Sequence, residues 1–344
     1  MNSYPVLDAD GHVEPPVALD WRRYVPQPWA DSMRRHAERM HAQYGAITAR
    51  RTGMWDPRER IVDMDLEGID MAVLFGGLVG IDPVDVPETA ACAVATARGY
   101  NDWLAEYCSA HPERLKGVAC LALRDMDTAC RELERAVTQL GFVSAVLPVR
   151  VGDHNLDSDY FAPLYELAQA LDVALSIHAP GFYGDAYELR WPTHFRRHAY
   201  GFVAGLLAGS MDVLCGGVLE RHPALRLALL EGGCGWLPFW IDRLDAHYAD
   251  LPGEAPEIQQ PPGHYLKTGR LFVSCEPSEK ALPAVLTTLG DDFIVYASDY
   301  AHYDSMYPES ARTLQKREDL SASARRKILW DNPARLYGAA RVGS

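Results

Sequence analysis

The chain has 344 residues, with 33 basic and 47 acidic side chains and a formal net charge of −14. At 48% apolar and 23% charged residues it is ordinary globular material, large enough for a deep core; at about 150 residues per domain its length suits two domains or one α/β barrel. The acidic balance argues against a nucleic-acid groove or an anionic membrane surface, both of which need clustered Lys and Arg. No run of about 18 consecutive apolar residues occurs, so no transmembrane helix is expected. The start of the chain has neither a basic segment nor a long apolar stretch, so no secretory leader is expected and the cytoplasm is the default address. The seven cysteines (Cys92, Cys108, Cys120, Cys130, Cys215, Cys234 and Cys275) are odd in number, and none stand in Cys-x-x-Cys spacing. That sets aside a zinc ribbon, a thioredoxin-type motif and a disulfide framework. Cys234 alone draws notice, because it lies near Glu231.

In chain order, short apolar runs alternate with amphipathic stretches. The first strand run is Val6–Leu7. An insertion over Pro15–Pro57 follows, carrying Trp21, Tyr24, Trp29, Tyr44 and Trp55; an interruption of that length usually covers something. Then come the strand Met71–Phe75, the helix Thr89–Ala110, the strand Gly117–Leu121, the helix Met126–Leu140, the strand Phe142–Leu147, the helix Tyr160–Leu171 and the strand Val173–Ile177. Gly205–Gly217, rich in small residues, reads as a helix packing face or a subunit interface. The strand Leu225–Leu230, the helix Trp236–Tyr248, a Pro- and Gly-rich loop Leu251–Gly269, the strand Leu271–Ser274, the helix Glu279–Leu289 and the strand Phe293–Ala297 complete the series. Several strands are apolar throughout, as parallel strands buried on both faces are. Eight strands alternating with helices predict a (β/α)8 TIM barrel, one domain over residues 1–344, with the insertion at 15–57 covering the active-site face. No Gly-x-Gly-x-x-Gly follows a strand, so an open dinucleotide-binding sheet has no support.

In such a barrel the chemistry sits at the C-terminal ends of the strands. The first strand runs into Asp8-Ala9-Asp10-Gly11-His12-Val13-Glu14. By twofold alternation Asp8, Asp10 and His12 share a side. The fifth strand ends in His178, the sixth in Glu231-Gly232-Gly233, and the eighth in Ala297-Ser298-Asp299-Tyr300-Ala301-His302. Taken singly, His178 suits a structural histidine and Asp299 a turn residue or helix cap. Taken together, acids and imidazoles ending four strands at one mouth would repel and be desolvated unless a cation held them. A metal centre is the reading that follows.

Asp8-Ala9-Asp10-Gly11-His12, His178 and Ala297-Ser298-Asp299 together resemble the amidohydrolase superfamily, most of all the amidohydrolase-related branch that includes aminocarboxymuconate-semialdehyde decarboxylase and resorcylate decarboxylase. Asp63-Met64-Asp65-Leu66-Glu67-Gly68-Ile69-Asp70 and Asp331-Asn332-Pro333-Ala334-Arg335-Leu336-Tyr337-Gly338 support it, and the resemblance spans about residues 4–338. It implies that Asp10 and His12 take the place of the opening ligand pair. It further implies that His178 is the strand-five ligand and that Asp299 is the strand-eight aspartate, which binds metal and relays protons. The branch commonly has a histidine base after strand six, where this chain has Glu231. Glu14 and His302 are further potential ligands.

Four carboxylates (Asp10, Glu14, Glu231, Asp299) and three imidazoles (His12, His178, His302) exceed what one zinc needs and suit two ions bridged by carboxylate. This enrichment is similar to a small group of di-iron hydroxylases on the same fold. The leading expectation is therefore a nonheme di-iron monooxygenase with dioxygen as co-substrate. In it His12, His178, Asp299 and Glu231 hold the metals, and Asp10, Glu14 and His302 complete the shell. The alternative is a Zn- or Mn-dependent hydrolase, or a nonoxidative decarboxylase of a cyclic or aromatic carboxylic acid, with Asp299 or Glu231 as general base. A binding protein with a vestigial site would have lost ligands, whereas this chain has gained them. The expected substrate is a small molecule, a bulky apolar or aromatic acid or an acyl thioester. Arg51 and Trp55 are expected to meet it, with Arg50 and the loop Gly181-Phe182-Tyr183 as weaker suggestions. His194 and His198 suit a polar loop and helix start. A homodimer is expected from the resembled branch.

Overall fold

The computed structural model describes residues 4–48, 51–76, 89–178 and 191–342, with the backbone alone for 43–48. Arg50 and Gly181-Phe182-Tyr183 lie outside the described residues. Eight strands form one sheet in sequential order: β1 (Leu7–Val13), β2 (Met71–Gly76), β3 (Leu115–Ala119), β4 (Ser144–Leu147), β5 (Ala174–His178), β6 (Leu227–Leu230), β7 (Leu271–Cys275) and β8 (Ile294–Tyr296). All their ladders are parallel. The sheet closes on itself just past β8, where Asp299 N–H donates to the Asp10 carbonyl (3.0 Å) and His12 N–H to that of Tyr300 (2.7 Å). This is the expected (β/α)8 barrel.

Alternation along the strands sorts the core into two layers. Leu175, Ile177, Leu227, Leu229, Leu271 and Val273 pack outward with helix residues such as Leu104, Leu133, Leu164, Leu206 and Leu237. The opposite phase, including Val73, Phe75, Ala174, Ala228, Leu230, Phe272 and Val295, fills the lumen. The C-terminal residues Ala334, Leu336, Tyr337 and Val342 join that inner cluster, and the Tyr337 hydroxyl donates to the Ala9 carbonyl at 2.7 Å. Each fully buried Leu or Val contributes about 1.5–3 kcal/mol, so this two-phase pattern, repeated on eight strands, sets the register.

The principal helices are α1 (Trp29–Thr48), α2 (Pro57–Glu67), α3 (Ala90–Cys108), α4 (Met126–Thr138), α5 (Ala162–Ala170), α6 (His194–Cys215), α7 (Leu237–Asp250) and α8 (Leu282–Leu289). Side chains cap several of them: Asp56 accepts from Arg58 N–H at α2, Thr89 from Cys92 N–H at α3 and Asp125 from Thr128 N–H at α4. Strand three begins and ends earlier than its apolar run suggests. The Asn101 side chain bonds both the N–H and the C=O of Cys120, which takes that residue out of the ladder. Helix α6 has the length and apolar composition of a membrane span, but it packs on the barrel, where a Cβ added at Gly209 would meet Val149, Ile177 and Leu156 within 3.3–3.6 Å.

The insertion builds a satellite core. Trp21, 2% exposed, packs with Val25, Ala30, Met33 and Ala37, so this tryptophan is structural. Tyr24 and Arg23 bind Glu106 on α3. The chain then returns to the barrel: Glu14 N–H donates to the Met54 carbonyl, and the Tyr107 hydroxyl to that of Gly53.

Candidate metal centre

Strand one is polar yet wholly buried. Asp8, Asp10, His12 and Glu14 are each at most 1% exposed. A register shift between Asp8 and Gly11 re-aims the strand at its upper end, as a bulge does. Gly11 is needed there, because a Cβ would lie 2.5 Å from Arg60 Nη2 and 2.6 Å from Asp8 Oδ2.

Six of the seven expected ligands meet at the C-terminal mouth. His12 Nε2 stands 3.7 Å from Asp10 Oδ1, 3.7 Å from Glu231 Oε2 and 3.3 Å from Asp299 Oδ1. His178 Nε2 is 3.4 Å from Asp10 Oδ2 and 2.8 Å from Glu231 Oε2. His302 Nδ1 is 2.8 Å from Asp299 Oδ1 and 3.7 Å from Glu231 Oε1. Two ligand sets result, Asp10–His12–His178–Glu231 and His12–Glu231–Asp299–His302, each with its ligand atoms within 4.8 Å of one another. Glu14 belongs to neither set: it lies beyond the end of β1, with its N–H bonded to Met54 and its carboxylate near Tyr100. The strand that aims Asp10 and His12 into the mouth stops at Val13, one residue before it.

The donor set fits a divalent ion. Both Asp10 carboxylate oxygens, His12 Nε2, both His178 nitrogens, Asp299 Oδ1 and His302 Nε2 are buried and make no well-aligned hydrogen bond, although His178 Nε2 and Asp299 Oδ1 each have a group of opposite polarity 2.8 Å away. Such groups cost about 1–3 kcal/mol each when nothing satisfies them. Atoms about 2.1 Å from a common ion stand about 3.0 Å apart at right angles and about 3.4 Å apart in a tetrahedron; four of the seven separations above lie at 2.8–3.4 Å and three at 3.7 Å. His12 Nδ1 is 3.3 Å from the Gly76 carbonyl, a contact that favours the tautomer with Nε2 free to ligate.

The electrostatics are those of mutual support. Burial alone would lower His178, but Asp10 and Glu231 outweigh it and raise it to about 10. Burial would likewise raise Glu231, yet His178, His302 and His12 hold it well below the usual carboxylate range. Asp299 is lowered in the same way, chiefly by His302 against the pull of burial. Two of the three non-glycine residues with positive φ among the described residues are ligand candidates, Glu231 (60°) and Asp299 (51°). Glu231 is held there by its N–H on Ser274 Oγ, and Asp299 by its N–H on the Asp10 carbonyl. Strain kept at two converging carboxylates is the pattern of a functional centre.

The remaining expected residues fall around this cluster. Arg51 donates Nε and Nη2 to Asp63 at 2.8 Å each and stacks on Tyr307, so its charge is already matched. Trp55 packs beside Met54, Tyr300 and Ala301. His198 lies 3.9 Å from Asp304 and in ring contact with His194 and Tyr303 at the rim. Cys234 is no nucleophile: its buried thiol donates to Glu279 and is pushed far up, first by burial. Two residues escaped the sequence reading. Arg60 is buried, donates to the His12 carbonyl and lies over the Tyr300 ring; nothing in its helix marks it. Glu276 directly follows β7 and lies within electrostatic reach of Asp299 and Glu231.

A closed barrel with an acid–imidazole cluster at its C-terminal mouth defines a metal-centred enzyme class. A model of that class matches nearly the whole chain: residues 8–339 match the amidohydrolase family model, and the chain belongs to the amidohydrolase family. It is 27% identical over 307 residues to a gamma-resorcylate decarboxylase from Polaromonas, covering 85% of this chain and 89% of that protein. It is 26% identical over 248 residues to the 2-amino-3-carboxymuconate-6-semialdehyde decarboxylase of Dictyostelium discoideum, covering 72% and 67%. The fold superposes with a TM-score of 0.73, at 22% identity and 99% and 98% coverage, on a dihydroxybenzoic acid decarboxylase from Polaromonas solved with manganese and the inhibitor 2-nitroresorcinol.

These relatives overturn the expectation of a di-iron monooxygenase. They are decarboxylases, and the metal seen in the solved one is manganese; iron and dioxygen have no support. The physical source of the error is plain. Carboxylate and imidazole ligands serve Mn, Fe and Zn alike, so a surplus of them says nothing about redox chemistry.

Proposed function

We propose that this protein is a divalent-metal-dependent, nonoxidative decarboxylase of an aromatic carboxylic acid. The observation that carries the reading is the convergence of Asp10, His12, His178, Glu231, Asp299 and His302, with unsatisfied buried atoms, on a chain similar to gamma-resorcylate and aminocarboxymuconate-semialdehyde decarboxylases. Asp10, His12, His178 and Glu231 would hold a manganese-type ion. That ion supplies Lewis acidity, matching the substrate's carboxylate and a neighbouring oxygen.

The reaction breaks the bond between ring carbon and carboxylate, releases CO2 and leaves an electron pair on the ring carbon that must take up one proton. Asp299 Oδ1 and His302 Nδ1, 2.8 Å apart, are placed to share and deliver it. Asp299 and His302 are thus assigned to the proton transfer, and Glu231 serves catalysis as one of the residues that would hold the ion. Trp55 is proposed as an apolar wall for the ring, and the 15–57 insertion as the cover of that side of the mouth. Glu231 turns Oε2 toward His12 and His178 but Oε1 toward His302, so it faces both ligand sets, and a second ion, were one bound, would be held by His12, Glu231, Asp299 and His302.

The test is anaerobic. Manganese-loaded protein is incubated without oxygen with 2,6-dihydroxybenzoate and with 5-carboxyvanillate, and CO2 and the decarboxylated phenol are measured with and without chelator. Chelator-sensitive CO2 release supports the reading. Absence of CO2 from every hydroxylated aromatic acid tried, with the metal bound, sinks it.

A further inference from the structure

After β6 the chain runs through Glu231-Gly232-Gly233-Cys234-Gly235 to α7. Glu231 and Gly233 both take left-handed backbone, with φ of 60° and 62°. A glutamate does not hold that conformation unaided, so other groups must fix the turn. The segment at and just after β7 supplies them. At the start of the turn Ser274 Oγ accepts from Glu231 N–H at 3.0 Å. At its end the Glu279 carboxylate accepts on Oε1 from Cys234 N–H (3.0 Å) and Gly235 N–H, and on Oε2 from the Cys234 thiol (3.2 Å).

The turn is shaped to receive that carboxylate. A Cβ on Gly235 would stand 2.8 Å from Glu279 Oε1, and one on Gly233 would stand 3.1 Å from it, so glycine is what lets the backbone come so close. Glu279 is braced in turn: its N–H donates to the Glu276 carbonyl at 3.0 Å, and Arg317 Nη1 donates to its own carbonyl at 2.7 Å. Apart from a long contact with Glu276 N–H at 3.4 Å, the hydrogen bonds on its carboxylate among the described residues all come from the turn. Hydrogen bonds to an ionised acceptor are the strong ones, and two of these end on backbone, so they set the shape of the turn. The side chain carried by that turn is Glu231, whose oxygens face His12, His178 and His302.

We propose that Glu279 is a positioning residue for the metal centre: through the Cys234 and Gly235 N–H groups it holds the Glu231 carboxylate where it can ligate, without touching the ion itself. This rests on the reading above, in which Glu231 holds the ion.

The experiment is manganese titration in competition with a coloured chelator, on wild type, Glu279→Ala, Glu279→Gln, Gly235→Ala and Glu220→Ala, each checked for folding by circular dichroism. Glu220 is the control, a carboxylate that accepts from Gln259 N–H and the Tyr265 hydroxyl ahead of β6, at the end of the barrel away from the mouth. Glu279→Ala should weaken manganese binding about 10- to 100-fold, the usual effect of removing a group that orients a ligand. Glu279→Gln, whose amide oxygen can take the place of Oε1, should recover most of that loss. Gly235→Ala, which presses on Oε1 and removes no acceptor, should weaken binding in the same direction, and Glu220→Ala should bind manganese as wild type does. Wild-type affinity in Glu279→Ala, or in Gly235→Ala should the former not fold, overturns the inference. So does a loss as large in Glu279→Gln as in Glu279→Ala, or as large in Glu220→Ala, which would mark a general loosening of the barrel. Wild type that binds no manganese overturns this inference and the decarboxylase reading together. The expected affinities with no CO2 released from any acid tried overturn the decarboxylase reading alone.

Discussion

Ser298 donates its backbone N–H (2.8 Å) and its hydroxyl (2.6 Å) to the two oxygens of the fully buried Asp8 carboxylate. Asp8 touches no ligand atom, yet it joins the strand carrying Asp10 and His12 to the turn carrying Asp299 and His302. It also accepts from Asp10 N–H at 3.2 Å and faces Arg60 at 3.9 Å. The barrel seam and the candidate metal centre are therefore one construction.

From this follows a loss of metal affinity without loss of a ligand. Asp8→Ala should weaken manganese binding about 10- to 100-fold, the usual effect of removing a group that orients ligands. Asp8→Asn, which keeps an acceptor for Ser298, should recover part of it. Metal titration by competition with a coloured chelator measures both. Wild-type affinity in Asp8→Ala would show that the seam holds without this carboxylate.

The ligand assignment separates two buried glutamates. Glu231→Gln should lower bound manganese sharply, because Glu231 faces His12, His178 and His302 together. Glu14→Gln should leave the metal content unchanged, since Glu14 stands outside both ligand sets. Elemental analysis of the purified variants decides the matter, and the reverse pattern would return Glu14 to the centre.

Metal should also stabilise the fold. Seven buried polar atoms of the centre make no well-aligned hydrogen bond without it, so manganese at a hundredfold excess over its Kd should add about 2.7 kcal/mol to unfolding. Thermal melts with and without chelator read this out. A Tm indifferent to manganese would place the ion elsewhere or nowhere.

The barrel was legible in the sequence because its strands are apolar on both faces, and eight such runs alternating with helices leave few architectures. The ligand cluster was legible because acids and imidazoles ended four of those runs. Glu276 carries no such signal, because it follows Cys275, the last residue of β7. Glu14 was a potential ligand by residue type and proximity in sequence alone, and the structure leaves it outside both ligand sets. Asn101, Arg60 and Ser298 act through contacts between segments far apart in sequence, and no local pattern reports those. The reaction was illegible in principle, because ligand identity leaves the metal and its redox state open.

Gly11→Ala should be costly for a packing reason alone. The added methyl would press on the Arg60 guanidinium and the Asp8 carboxylate, both buried in the seam. Overpacking of this kind costs about 1–3 kcal/mol. Urea denaturation of the metal-free protein gives the value directly, and a loss below about 0.5 kcal/mol would mean that the seam yields more easily than its burial implies.

The last prediction concerns Glu67, buried behind the seam, where Ser310 donates to its carboxylate and Tyr296 in turn meets Ser310. Burial raises Glu67 from 4.5 to about 7; Asp8 adds to the rise, while the Ser310 hydrogen bond and Arg60 oppose it. The folded state thus holds this proton more tightly than the unfolded chain does. Its contribution to stability is complete below about pH 4.5, falls away as pH rises toward 7 and is constant above that, for a total of order 3 kcal/mol. Glu67→Gln keeps an acceptor for Ser310 and cannot ionise. Asp8 and Asp212 also titrate near pH 6, so the informative quantity is the difference between variant and wild type. That difference should grow in favour of Glu67→Gln from pH 5 to pH 7 and then level off. Urea denaturation at pH 5, 6, 7 and 8 measures it, and a difference that stays flat across that range would mean that Glu67 is ionised in the folded protein throughout.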